Sequence, residues 1–259
     1  MDIDIASVSK QGGRAYNEDV FGQWSDGRFA AFLVADGAGG HGGGDVAADV
    51  ARASVLGALA ASPGLARAGL RRLLEKANRD VVARQAEGGR LADMRSTVVL
   101  AVVDLRAGEL AWAHAGDSRA YLFRGGEQVA RTIDHSLVQQ LVSSGVIDEE
   151  RARSHPQRNL LLSALGAPDG AVDIDVCERM RVGGGDAVLL CSDGVWEVLG
   201  DRRLGELLRA SLNPRQWIGR IDAEIRLRAA PGHDNYTAVA IWLHDDGEQA
   251  AQPLPPGSS

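Results

Sequence analysis

The chain has 259 residues, 45% of them apolar, and a formal net charge of −7. That length suits one sizeable core, since mixed folds of about 250 residues commonly form a single unit. The negative balance argues against a nucleic-acid partner, which needs a basic patch, though it leaves room for a local basic spot in a cleft. No run reaches the roughly 18 apolar residues of a membrane span. The start, Met1-Asp2-Ile3-Asp4, lacks the basic and apolar parts of a signal peptide. A cytoplasmic protein with no membrane contact is expected. The two cysteines, Cys177 and Cys191, are expected to be free thiols.

Residues 3–8 alternate apolar and polar side chains, the pattern of a half-buried strand. Residues 28–35 are almost continuously apolar and read as a buried strand. Gly44–Ala61 is rich in Ala, Val and Leu, with no breaker before Ser62-Pro63-Gly64, and reads as a helix. Residues 65–87 place Leu70, Leu73, Leu74, Ala77 and Val81 at helical spacing. Residues 96–105, Glu109–Ala115 and residues 119–123 are short β-rich runs between tight turns, as in antiparallel hairpins. Residues 135–144 and 148–154 read as short helices. Residues 172–176 and 187–192 read as strands. Residues 204–211 and Pro214–Arg228 read as helices, the second with proline in its first turn. Residues 236–243 close as a strand. The order lacks strict βαβ alternation, which favours a layered α+β fold with antiparallel sheets. One domain is expected over residues 1–245. The tail, residues 246–259, has too little apolar content to pack and is expected to be disordered.

Two segments share one plan. Phe32-Leu33-Val34-Ala35-Asp36-Gly37 and Val188-Leu189-Leu190-Cys191-Ser192-Asp193-Gly194 are each an apolar strand ending in Asp-Gly. A strand end fixes the direction of the carboxylate, and glycine lets the backbone turn close to what the carboxylate holds. Asp234 precedes the last strand, Asp117 sits in the turn Gly116-Asp117-Ser118, and Glu18 and Asp19 precede another strand. Any one Asp-Gly is also a common turn dipeptide. Several carboxylates brought together repel and raise one another's pKa values, which makes sense if cations fill the space. Oxygen ligands without Cys/His spacing favour Mg²⁺ or Mn²⁺ over zinc. Arg14, close in sequence to Glu18 and Asp19, can offer a guanidinium fork to a phosphate. The run of residues 37–44, six glycines and Ala38 around His41, lacks the Gly-Lys-Ser/Thr ending of a nucleotide loop and reads as a flexible turn.

Together these residues resemble the metal-dependent PP2C-type phosphatase family, the PPM family. The likeness spans roughly residues 3–243 and is carried by Arg14-Ala15-Tyr16-Asn17-Glu18-Asp19, Val34-Ala35-Asp36-Gly37-Ala38-Gly39-Gly40-His41 and Ser96-Thr97. It continues through Ala115-Gly116-Asp117-Ser118-Arg119, Asp134-His135-Ser136-Leu137, Ser163-Ala164-Leu165-Gly166, Ser192-Asp193-Gly194 and Asp234-Asn235-Tyr236-Thr237. It is greatest to compact bacterial members that consist of the catalytic domain alone. The resemblance implies two antiparallel sheets packed as a central sandwich with helices on both outer faces. It implies two or three Mn²⁺ or Mg²⁺ ions. Asp36 would bridge two of them, with the Gly37 carbonyl on one. Asp193 and Asp234 would complete the first site, and Glu18 and Asp19 would support the second, partly through water. Asp117, with Asp193, would hold a third. Arg14 would bind the substrate phosphate.

The implied reaction is hydrolysis of phosphoserine and phosphothreonine in proteins, with a metal-activated hydroxide as nucleophile. The implied partners are phosphorylated proteins, a serine/threonine kinase or its targets among them, and a monomer is expected. Residues 142–159 correspond to a flap that varies across the family. Many eukaryotic relatives carry His directly after the Asp-Gly as the suspected general acid, and here that position is Ala38. The leaving alkoxide would then be protonated by another group, His41 being the nearest, by water, or not at all. Neither cysteine lies in a Cys-x5-Arg loop, and the pair Asp173 and Asp175 has no Gly-rich turn after it. Two competing readings are a non-catalytic phosphoprotein-binding module and a phosphatase of small phosphorylated metabolites.

Overall fold

The computed structural model of the chain describes residues 1–39, 42–148, 151–152, 155–168 and 170–245. His41, the tail 246–259 and part of the flap lie outside the described residues.

The apolar runs form the centres of two antiparallel sheets. In the first, β3 (Phe29–Ala38) lies between β2 (Asp19–Ser25) and β5 (Val98–Asp104), and β6 (Glu109–Ala115) and β10 (Met180–Arg181) follow. Two short strands attach to it, β4 (Arg95–Ser96) on β3 and β9 (Asp175–Val176) on β6. The second sheet runs β1 (Asp2–Lys10), β12 (Tyr236–His244), β11 (Asp186–Cys191), β7 (Arg119–Arg124), β8 (Glu127–Arg131). Phe32, Val34, Val99 and Trp112 of the first sheet interlock with Leu122, Val188, Leu190 and Ile241 of the second. Strands buried on both faces cannot alternate, which explains the continuous apolar runs.

Helices cover both outer faces, as the sequence leads one to expect. On the first sheet lie α1 (Gly44–Ala61) and α2 (Arg67–Gln85). Ala47, Ala48 and Ala51 let α1 approach the strands closely, and Leu70, Leu74 and Val81 of α2 fill the space beside it. The second sheet carries α4 (Asp193–Arg209) and α5 (Pro214–Arg228), while the short α3 (Leu137–Ser143) follows β8. Trp217 of α5 is fully buried, meets Phe123 edge-on at 5.5 Å, and donates to the Leu204 carbonyl at 3.1 Å. Burying an aromatic or branched side chain of this kind is worth about 1.5–3 kcal/mol.

Three differences from the sequence reading have physical causes. β8 was not expected because Glu127-Gln128-Val129-Ala130-Arg131 is polar. It is an edge strand, joined to β7 through Gly125 and Gly126, both at positive φ. The helix expected from residue 204 begins at Asp193, and Gly200 interrupts it at φ 71°. The strand expected over residues 172–176 is confined to Asp175–Val176.

A further finding concerns the two Asp-Gly glycines, which are not turn glycines. Gly37 continues β3 and Gly194 lies in the first turn of α4, neither with positive φ. Each is glycine because another backbone presses on it. A Cβ at Gly37 would stand 2.0 Å from the Gly44 carbonyl oxygen, and one at Gly194 would stand 2.1 Å from that of Asn235. Gly194→Ala is expected to cost about 1–3 kcal/mol, since crowding a packed site forces backbone to shift. Gly57→Ala, where nothing lies within 4 Å, is expected to stabilise α1 by up to about 1 kcal/mol. Chemical denaturation of both variants measures the difference, and equal midpoints would refute the close-approach account.

Candidate metal centre

The sheets deliver the acidic residues to one end of the sandwich. Asp19 opens β2 and pairs with Asp36 near the end of β3. Asp193 follows β11 directly, and Asp234 stands two residues before β12. Asp117 sits between β6 and β7, in a turn that Gly116 makes with φ 103°. Asp36, Asp117, Asp193, Asp234, Glu18 and Gly37 line one cavity of about 490 Å³, together with Arg14. The structure therefore brings together every acidic residue picked out in the sequence, with Asp19 buried behind Asp36.

Neutral hydroxyl and amide groups hold this arrangement. The Ser192 hydroxyl donates to Asp19 Oδ2 at 2.6 Å, and accepts from the Thr237 amide at 2.9 Å. The Asp36 amide donates to Thr97 Oγ1 at 3.1 Å, and that hydroxyl meets Ser118 Oγ at 2.7 Å. Asn235 fastens the loop before β2. Its Oδ1 accepts from the Glu18 amide at 2.8 Å, and its Nδ2 donates to the carbonyls of Gln11 and Tyr16 at 2.7 and 2.9 Å. Trp196 Nε1 donates to the Asp117 carbonyl at 3.0 Å. Arg119 stacks on the Trp196 ring at 3.6 Å while pairing with Asp134 at 2.6 Å and Asp201 at 3.0 Å. Among the described residues, Arg14 pairs with Asp234 at 2.6 Å from the rim, and Arg119 acts on Asp117 without pairing with it.

The electrostatic result is strong. Burial, then the charges of Asp193, Asp19, Asp117 and Asp234, push the Asp36 carboxyl far above its ordinary range. Asp193 is raised far as well, by burial and then by Asp117, Glu197, Asp234 and Asp19. Both are partly exposed, each on the wall of the cavity. Asp117 is pushed up to about 7, by burial and then by Asp134, against the opposing pull of Arg119. Asp19 is pushed up to about 6, chiefly by burial, against the Ser192 hydroxyl. Glu18 is raised by burial and by Asp45, although the Gly44 and Asp45 amides oppose this. Glu18 Oε1, Asp19 Oδ1 and Asp193 Oδ1 are buried and have no hydrogen-bond partner among the described residues. Orphaned acceptor oxygens and mutually repelling carboxylates, with no Cys or His beside them among the described residues, fit hard divalent cations.

Two acidic residues were missed in the sequence. Glu197 stands one helical turn beyond Asp193 and acts on both Asp117 and Asp193. The four-residue spacing would have revealed it had α4 been started at Asp193. Asp45, beside Glu18 at the start of α1, has no signal apart from its closeness to the glycine run.

A family model for protein phosphatase 2C matches residues 9–218. The serine/threonine phosphatase stp of Listeria innocua is 31% identical over 235 residues, spanning 88% of this chain and 90% of that protein. The serine/threonine protein phosphatase PstP of Mycobacterium tuberculosis is 32% identical over 245 residues, spanning 95% of this chain and 46% of that protein. A crystal structure of the PstP catalytic domain with two manganese ions matches at TM-score 0.78 and 30% identity, covering 94% of this chain and 99% of that one. Stp1 of Staphylococcus aureus matches at TM-score 0.84 and 26% identity, covering 95% and 96%. The fold and the acidic centre define a divalent-metal-dependent phosphatase of the serine/threonine class. The chain belongs to the protein phosphatase 2C family.

The raised carboxyl groups make stability depend on pH when no cation is present. Asp19 and Asp117 hold protons in the folded state that they have lost in the unfolded chain, whose ordinary value is 3.8. Their contribution to stability is fully present below about pH 4 and is lost as pH rises through about 6 and about 7. In EDTA the melting temperature is expected to fall between about pH 5 and about pH 8, and Mn²⁺ is expected to abolish most of that fall. A melting temperature in EDTA that is flat or rising over this range would count against the cluster.

Proposed function

We propose that the chain hydrolyses phosphoserine and phosphothreonine in proteins at a centre of two or three Mn²⁺ or Mg²⁺ ions. The observation that carries this reading is the convergence of Asp36, Asp193, Asp117 and Asp234 on one cavity with Arg14 at its rim. Asp36 would hold two ions, the Gly37 carbonyl one of them, and Asp193 and Asp234 the first. Glu18 and Asp19 would serve the second, and Asp117 with Asp193 a third. When bound, the ions make a water nucleophilic near neutral pH and take up charge on the phosphoryl oxygens.

The residues around the ions have their own tasks. The Arg14 side chain is 54% exposed, so its guanidinium can turn from Asp234 to a phosphate without leaving a buried site. It would orient the phosphoryl group and neutralise its equatorial oxygens. Ser192 holds the Asp19 carboxylate, and Thr97 with Ser118 holds the backbone at Asp36, so little is reorganised during reaction. A second cavity of about 490 Å³ adjoins the first and shares Arg14, Asn159 and Asp234 with it. Val138, Val142, Arg158 and Trp196 line it, which suits peptide residues flanking the phosphorylated side chain. A protein substrate, a serine/threonine kinase or its targets among them, fits this long groove better than a compact metabolite does. His41 is the sequence candidate for protonating the leaving alkoxide.

The first test is manganese-dependent turnover of a phosphothreonine peptide against a sugar phosphate. Peptide turnover that EDTA abolishes and Mn²⁺ restores is expected. A preference for the sugar phosphate, or full activity in thorough chelation, would sink the reading. Asp36→Asn and Asp193→Asn are each expected to remove detectable turnover without lowering the melting temperature in EDTA, because each removes a repelling charge. Near wild-type rates in Asp193→Asn would refute its assignment. Arg14→Ala is expected to raise KM and lower kcat, with kcat/KM down roughly 10- to 100-fold, the worth of one charged hydrogen bond.

A further inference from the structure

A second group of ligand-type side chains stands outside the acidic centre. His114 on β6 faces Asp175 on β9 across the antiparallel pairing. His135, between β8 and α3, stacks on His114 with ring centroids 4.6 Å apart. One ligand atom from each of the three lies within 4.8 Å of the other two. None of the three lines the cavity of the acidic centre.

The protonation of His114 follows from its partner. His114 is 3% exposed, and its Nε2 stands 2.8 Å from the Ile133 carbonyl oxygen. A carbonyl only accepts, so Nε2 carries the proton. Burial, then the neighbouring His135, pulls the ring below its ordinary pKa and so disfavours a second proton on Nδ1. Nδ1 is therefore a bare lone pair, and it is buried with no partner among the described residues. A buried acceptor without a donor is costly and calls for an explanation. An imidazole whose other nitrogen donates to a backbone carbonyl has the tautomer and fixed orientation of a metal ligand. His135 Nε2 lies 3.3 Å from Asp175 Oδ2, and its Nδ1 lies 3.3 Å from the Gly116 amide. The Asp175 side chain is 57% exposed and free to swing toward the rings.

We propose that His114 Nδ1, His135 and Asp175 form a binding site for a borderline transition ion of the Zn²⁺ or Co²⁺ class. Two imidazoles and one carboxylate suit such an ion and not Mg²⁺, and a water from the exposed Asp175 side completes four-coordination. Binding through His135 Nε2 moves the proton of that atom, through water, onto Nδ1, since a neutral imidazole ligand keeps one N–H. With Nδ1 protonated, His135 no longer accepts from Gly116, the residue before Asp117. Loading this site therefore acts on the turn that presents Asp117 to the acidic centre.

Cobalt absorption tests this directly. The protein is held in excess Mg²⁺, which occupies the carboxylate centre and is silent in the visible range, and is titrated with Co²⁺. One equivalent is expected to give an intense band of nitrogen-bound, four-coordinate cobalt, which Zn²⁺ bleaches. Oxygen-bound cobalt in the acidic centre would give only a weak band. His114 lies within the sheet, so the variants used are His135→Gln and Asp175→Asn, with circular dichroism to verify their folds. Loss of the band in both supports the site. No intense band in the wild type, or a band that survives in either variant, overturns it.

Discussion

Carboxylates that repel one another are held together at one end of two packed sheets, and the architecture answers to that constraint. Among the described residues the protein's own cations relieve only part of the repulsion, Arg14 at Asp234 on the rim and Arg119 at Asp117. It uses stiff backbone. Asp36 and Asp193 adjoin strands whose neighbours are fully buried, and Asp19 is locked opposite Asp36 by sheet register. The folding energy of three apolar layers is thereby set against a local electrostatic cost. Bound cations reverse the sign of that cost, which makes ion binding and folding stability parts of one balance.

A layer of neutral hydrogen bonds makes the arrangement specific. Ser192 joins Asp19 to the backbone of β12, Thr97 and Ser118 join β3 to the β6–β7 turn, and Asn235 joins the loop before β2 to the second sheet. These bonds cross between the sheets, so the two halves of the sandwich cannot slide without parting the acidic residues. Arg119 does a similar task at higher stakes. It is 9% exposed, and its pairing with Asp134 and Asp201 and its stacking on Trp196 tie β7 to α4 behind the Asp117 turn.

The sequence shows the layers and the main ligands because both write strong local patterns. Continuous apolar runs mark strands buried on both faces, and Asp-Gly at their ends marks where the backbone presents charge. What it hides are features that depend on distant partners. Gly37 and Gly194 look like turn residues, yet their reason is the backbone of another segment, Gly44 beyond the glycine run for one and Asn235 before β12 for the other. The start of α4 is masked because Gly194 and Gly200 lower local helix propensity, and with it Glu197 escapes notice. β8 is polar because it is an edge, so its pattern resembles a loop. The orphaned Nδ1 of His114 follows only from knowing that Nε2 faces a carbonyl.

The three bonds of Asn235 bear on how tightly the centre can be filled. They hold Gln11, Tyr16 and Glu18 through the protein's own amide, with no share given to a cation. The loop that frames the entrance is therefore already shaped before any ion arrives. Ion capture then spends none of its free energy on ordering residues 11–18, so more of it is left for affinity.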